Sequence, residues 1–260
     1  MRKSFYKDKL RVEIFGKKED LGAEAATFVA EKLNRAINDR GCANLILGTG
    51  VSQFPLHEVL LKMELDWSKI TIFHLDEYIG ISDQHPASFR FFLRERIVNK
   101  VNPKNAYYLD GDADDINTEI RRYEELLKDN PVDVACIGIG ENGHIAFNDP
   151  YIADFHDPEY LKVVEIDEAC RKQQVGEGWF PTIEYVPRKA VTLTVTAIMD
   201  CKVLCCTVLD ERKSEAVYNT LTGEIDIACP ASILRQHDQA VLFLDGLAAK
   251  KFIIKLKQKR

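Results

Sequence analysis

The stretch Val132–Pro150, VDVACIGIGENGHIAFNDP, decides the reading of this chain. Apart from Asp133, its first half is a run of apolar and small residues without polar alternation, the pattern of a strand buried on both faces of a parallel sheet. Its second half opens at Gly138, Gly140 and Gly143 and carries a lone His144 in a turn of small residues. Open α/β sheets bind ligands outside the C-terminal ends of their strands. That places His144 where chemistry is done. An imidazole titrates near neutrality, and the carboxylates of Glu141 and Asp149 are close in sequence, which makes a candidate acid/base centre.

Gly138-Ile139-Gly140-Glu141-Asn142-Gly143 also matches the glycine spacing of a dinucleotide site. Such a site needs a helix that starts in the loop, so that its N-terminus meets the pyrophosphate. Asn148-Asp149-Pro150 interrupts within two helical turns, which argues against a crossover helix. An acid does follow at Glu165 or Asp167, after LKVVEI.

Working outward, Asn44–Leu47 is a short apolar strand that runs into Gly48-Thr49-Gly50-Val51-Ser52, and a helical pattern follows from Phe54 to Met63. Glycines let a backbone approach closely, hydroxyls donate, and a helix N-terminus favours an anion, so Gly48, Thr49, Gly50 and Ser52 form a candidate phosphate cradle. A plain tight turn is the competing reading. No Lys-Ser/Thr pair follows, which excludes a Walker A loop. Ile70–Leu75 is another buried strand, ending in Asp76-Glu77-Tyr78. Such acids can cap the next helix, yet two acids and a tyrosine at the mouth of a sheet suggest chemistry. Pro86–Val98 reads as a helix with proline near its start. Past the central stretch, Lys202–Leu209 is a strand and Arg212–Leu221 a helix. Lys213 lies in that helix's first turn, on the same rim as Thr49 and Ser52.

The remaining segments keep the rhythm. Arg11–Phe15 is a first strand, Leu21–Asn38 a helix, Ala106–Leu109 a strand and Ile116–Lys128 a helix. Val191–Val195 is a strand, Ala231–Arg235 is helical, and Ala240–Leu244 is a last strand. Tyr151–Tyr160 reads as a loop, and Val175–Phe180 is too glycine-rich for a helix interior, suggesting a mobile segment over the site. Alternating strands and helices predict an α/β fold with a largely parallel sheet.

At 260 residues with no internal repeat or low-complexity linker, residues 1–260 read as one domain. A net charge of −6 gives no reason to expect nucleic acid or a membrane surface as a partner. No window approaches 18 uninterrupted apolar residues, and the N-terminal MRKSFYKDKLRVEIFG lacks a signal-peptide core. The seven cysteines are scattered, mostly in apolar runs, with neither zinc spacing nor a disulfide framework. Buried thiols in a reducing cytoplasm are the expectation. The basic tail Lys250–Arg260 reads as a terminal helix.

Taken together, HLDEYIG, GENGHIAFNDP and the strand-end Lys213 resemble the glucosamine-6-phosphate deaminase (isomerase) family. The likeness runs from about Leu45 to Asp245 and includes HPASF, VPRKAVTLTVTAIMDCK and CPASIL. The related 6-phosphogluconolactonases share the sheet and a Gly-His motif, but FNDP and DEYIG look like deaminase features. The resemblance implies a Rossmann-like three-layer sandwich. It implies conversion of glucosamine 6-phosphate and water to fructose 6-phosphate and ammonia, an amino-sugar phosphate as the small-molecule partner, and no cofactor or metal. Carried over residue by residue, it makes Asp76 the base at C2 and C1, His144 the ring-opening proton shuttle, and Asp149 the carboxylate that orients the imidazole. The Gly48–Ser52 turn and Lys213 would hold the phosphate. A lactone hydrolase, a galactosamine-6-phosphate isomerase and a sugar-phosphate sensor are the alternatives; a homo-oligomer is left open.

Four departures stand out. Asn142 replaces an aspartate of some members, and Asp149 a glutamate, which leaves His144 with less negative charge around it unless Glu141 compensates. An arginine that some members place before the later Phe-Phe falls near Gly178, so phosphate binding would lean on Lys213, the turn, or Arg171 or Lys172. The segment after Pro150 lacks the serine and arginine of allosterically regulated members, so no activation by N-acetylglucosamine 6-phosphate is expected.

Overall fold

The computed structural model describes residues 2–258. Among them the strands, in chain order, are β1 (Lys3–Lys7), β2 (Leu10–Phe15), β3 (Ala43–Leu47), β4 (Ile70–Phe73), β5 (Asp76–Tyr78), β6 (Asn105–Ala106), β7 (Val134–Ile137), β8 (Leu161–Glu165), β9 (Lys189–Leu193), β10 (Leu204–Val208) and β11 (Ala240–Asp245). Eight of these form one sheet in the order β1-β2-β11-β10-β7-β3-β4-β6. Every pairing in it is parallel except β1 with β2.

The central strands are apolar throughout because both faces are covered. In β7, Val134 and Cys136 join the core on one face, while Ala135 and Ile137 join the core on the other. Val241 and Phe243 of β11 likewise alternate with Leu242 and Leu244. The first face packs under the helix Lys18–Arg40, whose row Leu21, Ala25, Val29 and Leu33 follows helical spacing. The second packs under the helices Ile116–Asp129, Ser214–Thr222 and Lys250–Gln258. The result is the expected α/β three-layer sandwich. Asp133, the one charge in the central apolar run, pins the opposite end of β7: its carboxylate accepts from Arg40, Lys202 and the Asn44 N–H.

The chain leaves β3 toward β4 and β6 on one side and returns to β7, β10 and β11 on the other. A crevice therefore opens at the C-terminal ends of β3 and β7, where the strand order reverses.

The structure departs from the sequence reading in three main ways. The structure adds β1, an antiparallel edge partner of β2, reached through a tight turn at Asp8 with φ 52°. Val191–Val195 is not part of the main sheet; β9 is the middle of a second, antiparallel sheet of order β5-β9-β8. The half-exposed alternation of LKVVE in β8 is the sequence trace of that smaller sheet. The helix Glu168–Gly176 runs into the stretch read as a loose loop, and the following Trp179 and Phe180 are packed against Phe92 and Tyr78. No helix follows Gly143: the chain turns back on itself through an Ile145–Asn148 bridge, which removes the dinucleotide reading. The terminal helix covers Lys250–Gln258; the last two residues of the basic tail lie outside the described residues.

Candidate active site

Four loops at the C-terminal ends of β3, β4, β7 and β10 surround a small cleft that is half open to solvent and lined by glycines and polar side chains as well as apolar ones. The turn after β3 is held by the Gly48 N–H, which donates to the Cys136 carbonyl at 2.8 Å. A Cβ at Gly48 would come within 2.8 Å of the same oxygen, so the residue must be glycine. Gln53, which the sequence reading passed over, ties this turn to two strands: its Nε2 donates to Ile137 O and to Thr207 Oγ1, both at 2.6 Å. Ser52 Oγ accepts from the Leu209 N–H at 3.1 Å, leaving its own proton to donate into the cleft. Among the described residues, the N–H groups of Thr49 and Gly50 have no acceptor within the chain. The turn thus presents unpaired N–H groups and a hydroxyl to the cleft, the donor set that an anion would take.

His144 is buried beside two oxygens. Its Nδ1 lies 2.7 Å from Asn142 Oδ1 and 3.1 Å from Asp149 Oδ1. Both are acceptors, because Asn142 Nδ2 donates to Asp149 Oδ1 at 2.9 Å. Nδ1 therefore carries the proton and Nε2 is left as a base. Burial alone would raise the pKa of Asp149, but hydrogen bonds and charge interaction with His144, together with Asn142 and the Asp167 N–H, hold it below the ordinary value. Asp149 is fully buried and ionised, a fixed counter-charge for an imidazolium. Glu141, by contrast, does not support His144: its carboxylate faces Arg212 at 3.6 Å.

Asp76 opens β5 and also lines the cleft. Burial, with the neighbouring charge of Glu77, raises its pKa well above the usual carboxylate range. Its position is set from below. His74 Nε2 accepts from the Leu109 N–H, so its Nδ1 donates to the Asp76 carbonyl at 2.9 Å. Burial keeps that imidazole neutral, with its pKa lowered to about 3.

Lys213 ends a short turn, Glu211–Lys213, after β10 and lines the same cleft as Asp76. Arg171 and Lys172 do not reach it. Arg171 donates to the carbonyls of Ile183 and Val186, and Lys172 pairs with Glu168 on the surface. The structure instead brings Gln173, Gln174, Glu177 and Trp179 into the wall, all from the helix Glu168–Gly176 and the turn after it. Their shared helical spacing was the only sequence signal, and it does not say which way that face points.

His144, Asp149 and Cys170 place one donor atom each within 4.8 Å of one another. They fit a metal poorly. The Nδ1 side of His144 is committed to Asn142 and Asp149, and burial, aided by the charge of Asp149, holds the Cys170 thiol well above its ordinary pKa and so protonated.

The family model described as glucosamine-6-phosphate isomerases/6-phosphogluconolactonase matches residues 16–243. A glucosamine-6-phosphate deaminase of Bacillus cytotoxicus is 34% identical over 213 residues, covering 82% of this chain and 79% of that one. One from Listeria monocytogenes is 32% identical over 219 residues, covering 84% and 92%. A solved structure described as a monomeric glucosamine-6-phosphate deaminase superposes with a TM-score of 0.84 at 31% identity, covering 92% of this chain and 98% of that one. A 6-phosphogluconolactonase from Shewanella baltica shares the fold, with a TM-score of 0.75 at 20% identity over 90% and 97% of the two chains. With the match spanning nearly all of the sandwich and every loop around the cleft, this chain belongs to the glucosamine-6-phosphate isomerase/6-phosphogluconolactonase family.

Proposed function

We propose that this protein is an enzyme that isomerises and deaminates glucosamine 6-phosphate, giving fructose 6-phosphate and ammonia. The observation that carries this reading is one cleft holding a carboxylate of raised basicity, a carboxylate-backed imidazole and an anion cradle with a lysine. The phosphate sits on the Gly48–Ser52 turn, where the free N–H groups of Thr49 and Gly50, the Ser52 hydroxyl and Lys213 meet it. His144 Nε2 takes the anomeric hydroxyl proton and returns one to the ring oxygen, opening the sugar; Asp149 and Asn142 hold the ring in the tautomer this needs. Asp76 then removes the C2 proton, forming an enolamine, and delivers a proton to C1. The resulting C2 iminium adds water and expels ammonia.

The test is ammonia release by the purified protein, with Asp76→Asn alongside. The substitution should cost about 10²–10⁴-fold in turnover. A lactone hydrolase needs no base at C2 and would barely notice it. Because a base must be deprotonated, kcat/KM should fall as pH drops through the raised pKa of Asp76, leaving an acidic limb above the ordinary carboxylate range. Equal or faster turnover of galactosamine 6-phosphate would reassign the epimer.

All seven cysteines are free, which supports a reducing cytoplasm as the compartment. Among the described residues no helix is long and apolar enough to cross a membrane. The packing of the small sheet onto the same cleft supports reading the chain as one catalytic domain.

A further inference from the structure

Lys213, the one cationic side chain lining the cleft among the described residues, already has an anionic partner. Its Nζ lies 3.1 Å from Glu177 Oε1, and both side chains are only 3% exposed. The same oxygen accepts from Gln173 Nε2 at 2.9 Å. Nearby Arg212 offers little relief: it is 40% exposed and faces Glu141 and Asp210, each at 3.6 Å. A phosphate approaching Lys213 therefore meets a buried carboxylate already bound to the ammonium. Two anions on one buried ammonium repel strongly where water does not screen them.

The geometry points to Glu177 as a built-in competitor for the phosphate, so that ligand binding is an exchange in which Lys213 trades the Glu177 carboxylate for the phosphoryl group. This rests on the deaminase reading only in taking the phosphate to lie at Lys213. The local backbone is built for the exchange. Glu177 stands between Gly176 and Gly178; Gly178 has φ +83°, and nothing lies within 4 Å of the side-chain position it leaves empty. On either side the chain is anchored. Trp179 packs edge-on against Phe54 and Phe92, Phe180 edge-on against Tyr78, and Gln173 Oε1 accepts from the Glu141 N–H. Movement is thus confined to one carboxylate and its two flanking glycines, while the aromatic wall stays in place. Glu177 then sets how weakly a bare phosphate binds. A sugar phosphate, which adds contacts at Asp76 and His144, has more binding energy with which to displace it.

Calorimetric titration of the full chain with inorganic phosphate tests this, using wild type, Glu177→Gln, Glu177→Ala and Lys213→Gln, each first checked for cooperative thermal unfolding. Both Glu177 substitutions should tighten phosphate binding about tenfold or more, and KM for glucosamine 6-phosphate should fall with it. Lys213→Gln should abolish phosphate binding. Unchanged or weaker phosphate binding in the Glu177 variants would overturn the inference, because a carboxylate that merely steadies Lys213 would be missed, not welcomed gone. Phosphate binding insensitive to Lys213→Gln would overturn it too. Tighter phosphate binding in a protein that releases no ammonia would sink the deaminase reading and leave the exchange standing.

Discussion

Gly140 leaves the space that the His144 ring fills. A Cβ there would lie 2.1 Å from Cε1 and 2.3 Å from Nε2 of the imidazole. Gly140→Ala must therefore push the ring off Asn142 and Asp149 or move the loop itself. Because a misplaced general base loses most of its effect, turnover should fall about 100-fold, and the Nδ1 proton resonance of His144 should shift or broaden as its hydrogen bonds are lost. At this scale the candidates that the structure brings to one cleft were largely legible. His144, Asp76 and Lys213 follow strands whose apolar runs end abruptly, so their chemistry stands out against small neighbours. Glu177, Gln173 and Gln53 were not legible. Each is an ordinary helix or turn residue in sequence, and only the packing of its element decides that it faces the cleft rather than water. Glu141 failed the other way: proximity in sequence to His144 suggested support, and the backbone turn sends its carboxylate to Arg212 instead.

Elements bring the candidate base into place through a second buried carboxylate. Glu77, fully buried in β5, accepts from the Tyr78, Phe89 and Arg90 N–H groups and from Ser88 Oγ at 2.7 Å. It thereby caps the start of the helix Phe89–Leu93, satisfying N–H groups that a helix N-terminus leaves free, and fixes the strand that carries Asp76. Glu77→Gln keeps the shape but turns an NH₂ toward donors. We expect a loss of about 2–4 kcal/mol in unfolding free energy, read from chemical denaturation, with a drop in kcat as Asp76 loses its register. The main sheet was readable because strands buried on two faces leave unbroken apolar runs. The small sheet was not. Its strands are three to five residues long, and β5, Asp76-Glu77-Tyr78, follows two residues after β4 with no apolar pattern of its own to mark it as a strand.

The whole molecule carries two imidazoles that folding keeps neutral. Burial lowers the pKa of His57, and of His74, to about 3. Unfolded histidines titrate near 6.5. Between about pH 6.5 and 3 the unfolded chain therefore binds more protons than the folded one, so the stability each contributes is complete above that window and is lost as pH falls through it. His57 makes no hydrogen bond through either ring nitrogen, which makes it the cleaner probe. His57→Leu should reduce the acid-side slope of unfolding free energy by about 1.4 kcal/mol per pH unit below pH 6, measured by denaturant melts across that range, without loss of stability at pH 7.

The cleft spans both sheets. The cradle at Gly48–Ser52, His144 and Lys213 follow strands of the eight-stranded sheet, whereas Asp76 belongs to β5 of the three-stranded one. The distance from the phosphate cradle to Asp76 is therefore set by how the two sheets pack, and the Phe147 N–H and Asn148 Nδ2, donating to Thr192 Oγ1 and the Leu193 carbonyl, hold the loop of one to the middle strand of the other. A sugar phosphate bound as proposed is a crossbar between the two sheets, its phosphate end on one and its reacting carbons on the other. On that reading catalytic alignment and the stiffness of the whole molecule rise together when the crossbar is in place, and both relax when product leaves.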